Sequence, residues 1–533
     1  MEAPSILAPA GDIDKSREPS SYRYSHIRRP DGPRPGGWLM RQGPLAGRYP
    51  AAAAMVIFAL VPYLGLSAAL QPLTPIIGGQ LHMNAETMSL GLGMANAGYA
   101  VGTVLAVQFA QLLPQRRMMV LYAALLLIGS VLAAAAQDPA MFIAGHVLQG
   151  LCTSLLLIAA VPPLALGFGL DKFRSTAMIM NVCIFGAVAL GPVLGGIQAG
   201  AHAWRPLFWI VAGISLAALL LSLLTFEDAP PADPEAPRDL VAIALAASGC
   251  VAAFYGASEL VTHRFLGTQT FLPLVVGLAL IVVLVVNQYR SRRPLLRVRS
   301  MLTSTVPVAG IVVALAAAAA SVSATVLTAS ELADRYSPLH LGLLYLPELG
   351  GALITAAMLG VVLNKRQMHY LPLAGMAFLA AGIGVFRVQV PPTEALTLIG
   401  SGLTGIGLGA AVAPALFVAG FSLPSASLQR VFAIVELFRA VAAFMIAPVF
   451  AHFAVTVGGN ARTGTGIALW IGFGLAIGGA IAAVLLYVVG RARPQTPDLE
   501  RFMAGEAPAW YSPPLLAGIR NRPHHRVLAE DAA

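Results

Sequence analysis

Three carboxyl side chains sit where a carboxyl is expensive. Glu348 and Glu436 fall inside long apolar runs, Glu331 lies just past the end of one, and Arg439 shares a run with Glu436. A charge at the centre of a bilayer costs about 3 kcal/mol on insertion scales, so each such residue needs a partner or a task. Glu436 and Arg439 are three residues apart and share a helix face, where they can pair. That pair serves either as an ion pair that lowers the cost of burial or as a cavity pair that senses substrate or proton. Glu348 has no charged neighbour within a helical turn, which suits either a proton carrier or a hydrogen-bonded carboxyl between helices. Glu331 stands near the end of its run, where solvent reaches it. His146 is of the residue type that ordinarily titrates near neutral pH, so it fits proton coupling or hydrogen-bonded packing. Gln149 is a candidate polar contact to a substrate. The spacing of His, Cys, Asp and Glu suggests no metal site, and there is no phosphate-cradling loop or nucleophile elbow. An enzyme is therefore not expected, nor a cofactor.

The elements that must hold these residues are read from hydropathy. Of the 533 residues, 57% are apolar and 11% charged, against about 25% charged in soluble domains. Apolar runs near the ~20 residues needed to span a bilayer cover 51–76, 87–111, 118–136, 140–166, 175–199, 206–226, 240–259, 271–289, 303–329, 340–363, 371–388, 395–420, 430–454 and 464–490. The expectation is fourteen transmembrane helices in one all-α unit. Its parts are a disordered tail (1–49), a six-helix bundle (50–226), a linker with an inserted helix pair (227–300), a second six-helix bundle (301–490) and a disordered tail (491–533). Cys152, Cys183 and Cys250 all lie in apolar runs, which argues against a disulfide framework.

Orientation follows from Lys and Arg in short loops. One set of loops carries Arg116, Arg117, Lys172, Arg174, Arg238, the group Arg290 to Arg299, Lys365, Arg366 and Arg430. The other carries Arg205, Arg264, Arg335, Arg387 and Arg462. The first side, which also holds both tails, is expected to be cytoplasmic. The net charge of +9 thus orients a membrane protein and does not point to nucleic acid.

Within the fifth run, Gly186-Ala-Val-Ala-Leu-Gly191-Pro192-Val-Leu-Gly195-Gly196 carries four glycines and a proline. Gly186, Gly191 and Gly195 are expected to share roughly one face and admit another helix backbone, and Pro192 to bend the helix. Short basic turns, Leu113-Pro-Gln-Arg116-Arg117-Met118 and Leu363-Asn-Lys365-Arg366-Gln-Met368, follow the second helix of each six-helix group. Parallel halves of this kind are a transporter architecture with the substrate site between them.

These residues resemble the major facilitator superfamily, in its fourteen-helix drug:proton antiporter branch. Gly186 to Gly196 is similar to the branch's antiporter motif on helix 5. His146-Val-Leu-Gln149-Gly150 resembles the helix 4 motif Arg-x-x-Gln-Gly, with His in the place of Arg. Trp204-Arg205-Pro-Leu-Phe208 is similar to the signature before helix 6, and Ser337-Pro338 through Gly342 to Pro347 resembles the opening of helix 10. The branch's acid in helix 1 has no counterpart here; Leu66 stands nearest. The resemblance implies a secondary transporter of the cell membrane, working by alternating access as a monomer. Its partners would be the lipid bilayer, protons and a small-molecule substrate. Glu348, Glu436, Arg439, His146, Gln149 and Glu331 would form the coupling or substrate cavity, and Arg116, Arg117, Lys365 and Arg366 the gating loops. Proton-coupled export of a drug-like compound is the leading expectation. Import or uniport of a metabolite or siderophore, or a transport-dead scaffold or sensor, are the alternatives.

Overall fold

The computed structural model describes residues 43–226, 231, 237–515 and 517. Among the described residues, fourteen helices are long and apolar enough to cross a membrane: α1 (Tyr49–Leu81), α2 (Ala85–Leu112), α3 (Gln115–Ala134), α4 (Pro139–Leu166), α5 (Leu170–Gly200), α6 (Arg205–Thr225), α7 (Leu240–Val261), α8 (Thr268–Arg290), α9 (Thr305–Leu332), α10 (Pro338–Val362), α11 (Leu371–Val388), α12 (Glu394–Phe421), α13 (Ser425–Thr456) and α14 (Ala461–Val489). An even number of spans puts the two ends of the described chain on one face, here called the terminal face. Several helices that start at the opposite face are capped by side chains. Asn84, Asp138, Thr393 and Asn460 each accept a hydrogen bond from a backbone N–H three residues on, satisfying donors a helix start leaves unpaired. Pro62, Pro72 and Pro75 all lie inside α1 without ending it, as neighbouring helices allow in membranes.

Helices α1–α6 pack mainly on one another, as do α9–α14. The two groups meet along two seams, α5 against α10 and α2 against α13. The hairpin α7–α8 lies against α2. Gln108 of α2 accepts from the backbone N–H of Asp239 (2.9 Å), and Gln288 of α8 donates to the Asp239 carboxylate (2.7 Å). Towards the opposite face Ser89 donates to the carbonyl of Ser258 (3.0 Å), and His452 of α13 bonds the carbonyl of Leu260 (2.9 Å). The inserted pair is thus tied to both helices of one seam.

Two expectations need correction. Residues 491–515 are docked against the bundle, not loose. Phe502 and Trp510 are buried. The Trp510 indole donates to the carbonyl of Val418 (3.2 Å), and the N–H of Ala509 to that of Phe421 (2.8 Å). The N–H groups of Thr305 and Val306, unpaired at the start of α9, donate to the carbonyl of Pro513 and to Ser512 Oγ. Burial of two large aromatics and completion of a helix start outweigh the polar, Pro-rich composition. Second, Gly186 does not share a face with Gly191 and Gly195, as described below. In addition, α5 carries a π-helical turn, Val182–Gly186, a turn before Pro192, which lies inside the segment Ala187–Gly200. The expected disorder of residues 1–42 and of most of the linker between α6 and α7 falls outside the described residues.

Candidate functional site

The α5 glycines show how closely the helices approach. A Cβ on Gly191 would lie 2.7 Å from the carbonyl oxygen of Gly65, and one on Gly195 2.2 Å from that of Ala69, so both face α1. A Cβ on Gly196 would lie 2.5 Å from the Pro338 carbonyl oxygen, and one on Gly186 3.3 Å from Leu349, so these two face α10. Steps of five and four residues turn a helix by about 140° and 40°. That is why Gly191 and Gly195 align and Gly186 does not. The motif therefore seats α5 inside its own bundle with one face and against the other half with the other.

At the second seam Glu436 and Arg439 form the pair expected from their spacing. They are 5% and 9% exposed. Arg439 Nε donates to Glu436 Oε2 (2.8 Å) and its Nη2 bonds Oε1, a two-point geometry that compensates for loss of water. Tyr99 of α2 donates to the same Oε1 at 2.6 Å, and the Arg439 guanidinium lies 6.0 Å from the Phe444 ring centroid. Phe444 belongs to a second π-helical turn, Val441–Met445. Thus α5 and α13, the fifth helices of their six-helix groups, both carry a π turn within the membrane.

Glu348, on α10, is half-buried. The partners absent from its own turn come from other helices. Thr325 of α9 and Thr404 of α12 donate to its Oε1 at 3.1 and 3.4 Å. Glu331 sits near the opposite-face end of α9 and accepts from Thr465 of α14 (2.8 Å). With Asp334, Arg335 and Arg462 it lines an open polar basin, apart from the other carboxyls.

His146 and Gln149 point into the first bundle. His146 Nδ1 donates to Gln149 Oε1 (3.0 Å), Gln149 donates to Ser130 of α3 (3.1 Å), and the imidazole stacks on Phe142. Tyr63 of α1 connects this group to the seam. Its ring lies 5.5 Å from that of His146 and 6.1 Å from that of Tyr99, and its hydroxyl donates to Asn96 of α2. The structure thus joins His146 and Gln149 to Glu436 and Arg439 through two tyrosines, and keeps Glu331 separate. Arg116 donates to the carbonyl of Leu223 at the end of α6 (3.1 Å), while Lys365 and Arg366 are exposed in the turn before α11.

Sequence reasoning missed several polar residues. A tyrosine or threonine in an apolar run carries no signal that separates a carboxylate donor from packing, which hides Tyr99, Thr325 and Thr404 in the sequence. Glu259, buried at the end of α7 against His263 (3.1 Å), was hidden by its place at a run's edge. Asn181 is fully buried beside the α5 π turn, and neither amide atom has a partner among the described residues.

Known proteins with this pattern are transporters. The profile described as "Major Facilitator Superfamily" matches residues 55–393. A "Multidrug resistance protein B homolog" of Mycobacterium tuberculosis (strain ATCC 25618 / H37Rv) is 26% identical over 293 residues, 54% of each chain. "Uncharacterized MFS-type transporter YubD" of Bacillus subtilis (strain 168) is 29% identical over 250 residues, 45% of this chain and 47% of that one. The chain spans about half the length of these curated relatives. Among solved structures, the peptide transporter POT in complex with sulfate aligns with a TM-score of 0.58 at 16% identity, covering 85% of this chain and 98% of that one. The proton:xylose symporter XylE aligns at 0.56 and 12%, covering 81% and 94%; such identities speak to the fold alone. With fourteen candidate spans among its described residues, this chain belongs to the major facilitator superfamily.

Proposed function

We propose that the protein exports a small organic, drug-like compound in exchange for protons, by rocking its two six-helix halves about a site between them. The observation that carries the coupling is Glu348. It is a carboxyl within a membrane helix whose described partners are two threonine hydroxyls and no cation. Hydroxyls can turn to suit either protonation state, so a proton can be taken up and released without rebuilding the site. Glu436 and Arg439 act as the seam's lock, since Tyr99 reaches them from the other half. The names of the curated relatives support a drug-like substrate. The basic loops support a cytoplasmic terminal face in a cell membrane.

The test is transport in proteoliposomes with an imposed pH gradient. Substrates are first chosen by growth of a deletion strain against a panel of toxic amphipathic compounds. Export that stops when the gradient is collapsed supports the reading. Export indifferent to the gradient, or flux only inward, rejects it.

A further inference from the structure

A cavity of about 280 Å³ lies between α9, α11, α12 and α14 near the terminal face, away from both seams. Its wall is almost wholly apolar, with Gly310, Val313, Ala415 and Val484 among the lining residues. Val484 and Val488, 44% and 67% exposed on α14, stand at its mouth, so it opens toward the acyl region of the bilayer. It is slightly smaller than the roughly 300–1,000 Å³ of pockets that enclose drug-sized ligands. A single hydrocarbon chain entering from the side suits it better than a whole compound.

The end nearest the terminal face is polar. His369 is 5% exposed, and its Nδ1 lies 2.9 Å from the Tyr487 hydroxyl. Its Nε2 is buried, with no partner among the described residues. Burial holds this imidazole down at about 4, so it is neutral at pH 7. With the phenol donating to Nδ1, Nε2 carries the proton and is a donor. Arg491 and Arg493, both exposed, flank the lining residue Ala492, and Lys365 and Arg366 precede His369 in its turn. The neighbouring acid, Asp498, is occupied in capping the short helix Leu499–Met503.

We propose that this cavity holds one acyl chain of an anionic glycerophospholipid. The chain's ester carbonyl accepts from His369 Nε2, and its phosphate lies against Arg491 and Arg493. Basic residues at the edge of an apolar cleft between membrane helices recognise anionic lipid in this way. The ligand would bridge α14, the α10–α11 turn and the docked C-terminal segment, whose Trp510 ring lies 4.7 Å from that of His369.

The full-length transporter, delipidated in detergent, is titrated with phosphatidylglycerol, with phosphatidylcholine of the same chains, or with inorganic phosphate. Retained lipid is read by native mass spectrometry and stability by thermal melting. Expected is about tenfold preference for phosphatidylglycerol, with no stabilisation by phosphate alone. Val484→Trp, which fills the mouth from an exposed position, should reduce retention of both lipids about tenfold. Arg491→Gln with Arg493→Gln should leave the chain bound but equalise the two headgroups. Equal retention of the two lipids by the wild type, wild-type retention by Val484→Trp, an undiminished preference in the double arginine variant, or stabilisation by phosphate alone would each overturn the proposal.

Discussion

Tyr99 and Glu436 are 337 residues apart in the chain, yet the phenol of the first donates a 2.6 Å hydrogen bond to the carboxylate of the second. They sit on opposite sides of the α2/α13 seam, so the bond spans the two six-helix halves. Tyr99→Phe removes one donor from a buried carboxylate that keeps Arg439, at a cost of about 1–3 kcal/mol. Expected is a folded protein with a lower melting temperature and an altered transport rate. Wild-type values for both would show that the bond is idle.

Breaking the pair itself should be worse. Arg439→Ala leaves Glu436 buried without its cation, which costs about 3–5 kcal/mol. Replacing both residues by apolar ones of similar volume should restore much of the stability without restoring transport. A double-mutant cycle on melting temperature, read beside transport, separates the two effects. A double variant that still transports would refute the role of the pair as lock.

The α5 glycines make separable predictions because they face different partners. Gly195→Ala drives a Cβ to within 2.2 Å of the Ala69 carbonyl oxygen inside the first bundle. It should lower stability by about 1–3 kcal/mol. Gly196→Ala meets the Pro338 carbonyl oxygen at 2.5 Å across the halves, and should impair transport more than folding. Gly200→Ala meets nothing within 4 Å and serves as control. Expression, melting temperature and transport of the three check the order, and identical behaviour of Gly195→Ala and Gly196→Ala would contradict it.

Much of this was legible beforehand. Fourteen apolar runs of spanning length became fourteen helices, and two residues three apart became an ion pair, because length and helical period are local properties. What was illegible depends on partners far away in the chain. The docked segment 491–515 has no apolar periodicity; its Phe502 and Trp510 are anchored only because Phe421 and Val418 are there to receive them. The π turns in α5 and α13 have no residue signature, and the five-residue step from Gly186 to Gly191 turns Gly186 off the face that the four-residue step to Gly195 keeps. The sequence leaves His146 open to proton coupling or packing; that Phe142 shares its face is a helical spacing, but that Tyr63 of α1 lies against it is a contact between helices that sequence does not show.

Acid should loosen the docked segment. The His369 imidazole is held down at about 4 against 6.5 ordinarily. Between these values the unfolded chain binds a proton that the folded one excludes. The stability contributed by neutral His369 is therefore present above pH 6.5 and lost as pH falls through 4, at most about 3 kcal/mol. The groups facing it are Tyr487 and Trp510, with Lys365, Arg366, Arg491 and Arg493 nearby. Tryptophan emission, taken as the difference between wild type and Trp510→Phe, should shift on acidification, and the shift should be absent in His369→Gln. A signal that is flat down to pH 4, or unchanged in His369→Gln, would contradict the assignment.

The central claim is that Glu348 carries the exchanged proton. The most direct measurement follows proton and substrate flux together in proteoliposomes containing wild type or Glu348→Gln. The amide keeps acceptor and donor atoms for Thr325 and Thr404 but cannot titrate. The account predicts that the wild type moves protons opposite to substrate, and that the variant binds substrate yet shows neither proton flux nor gradient-driven export. Proton-coupled export by Glu348→Gln at the wild-type rate would contradict it.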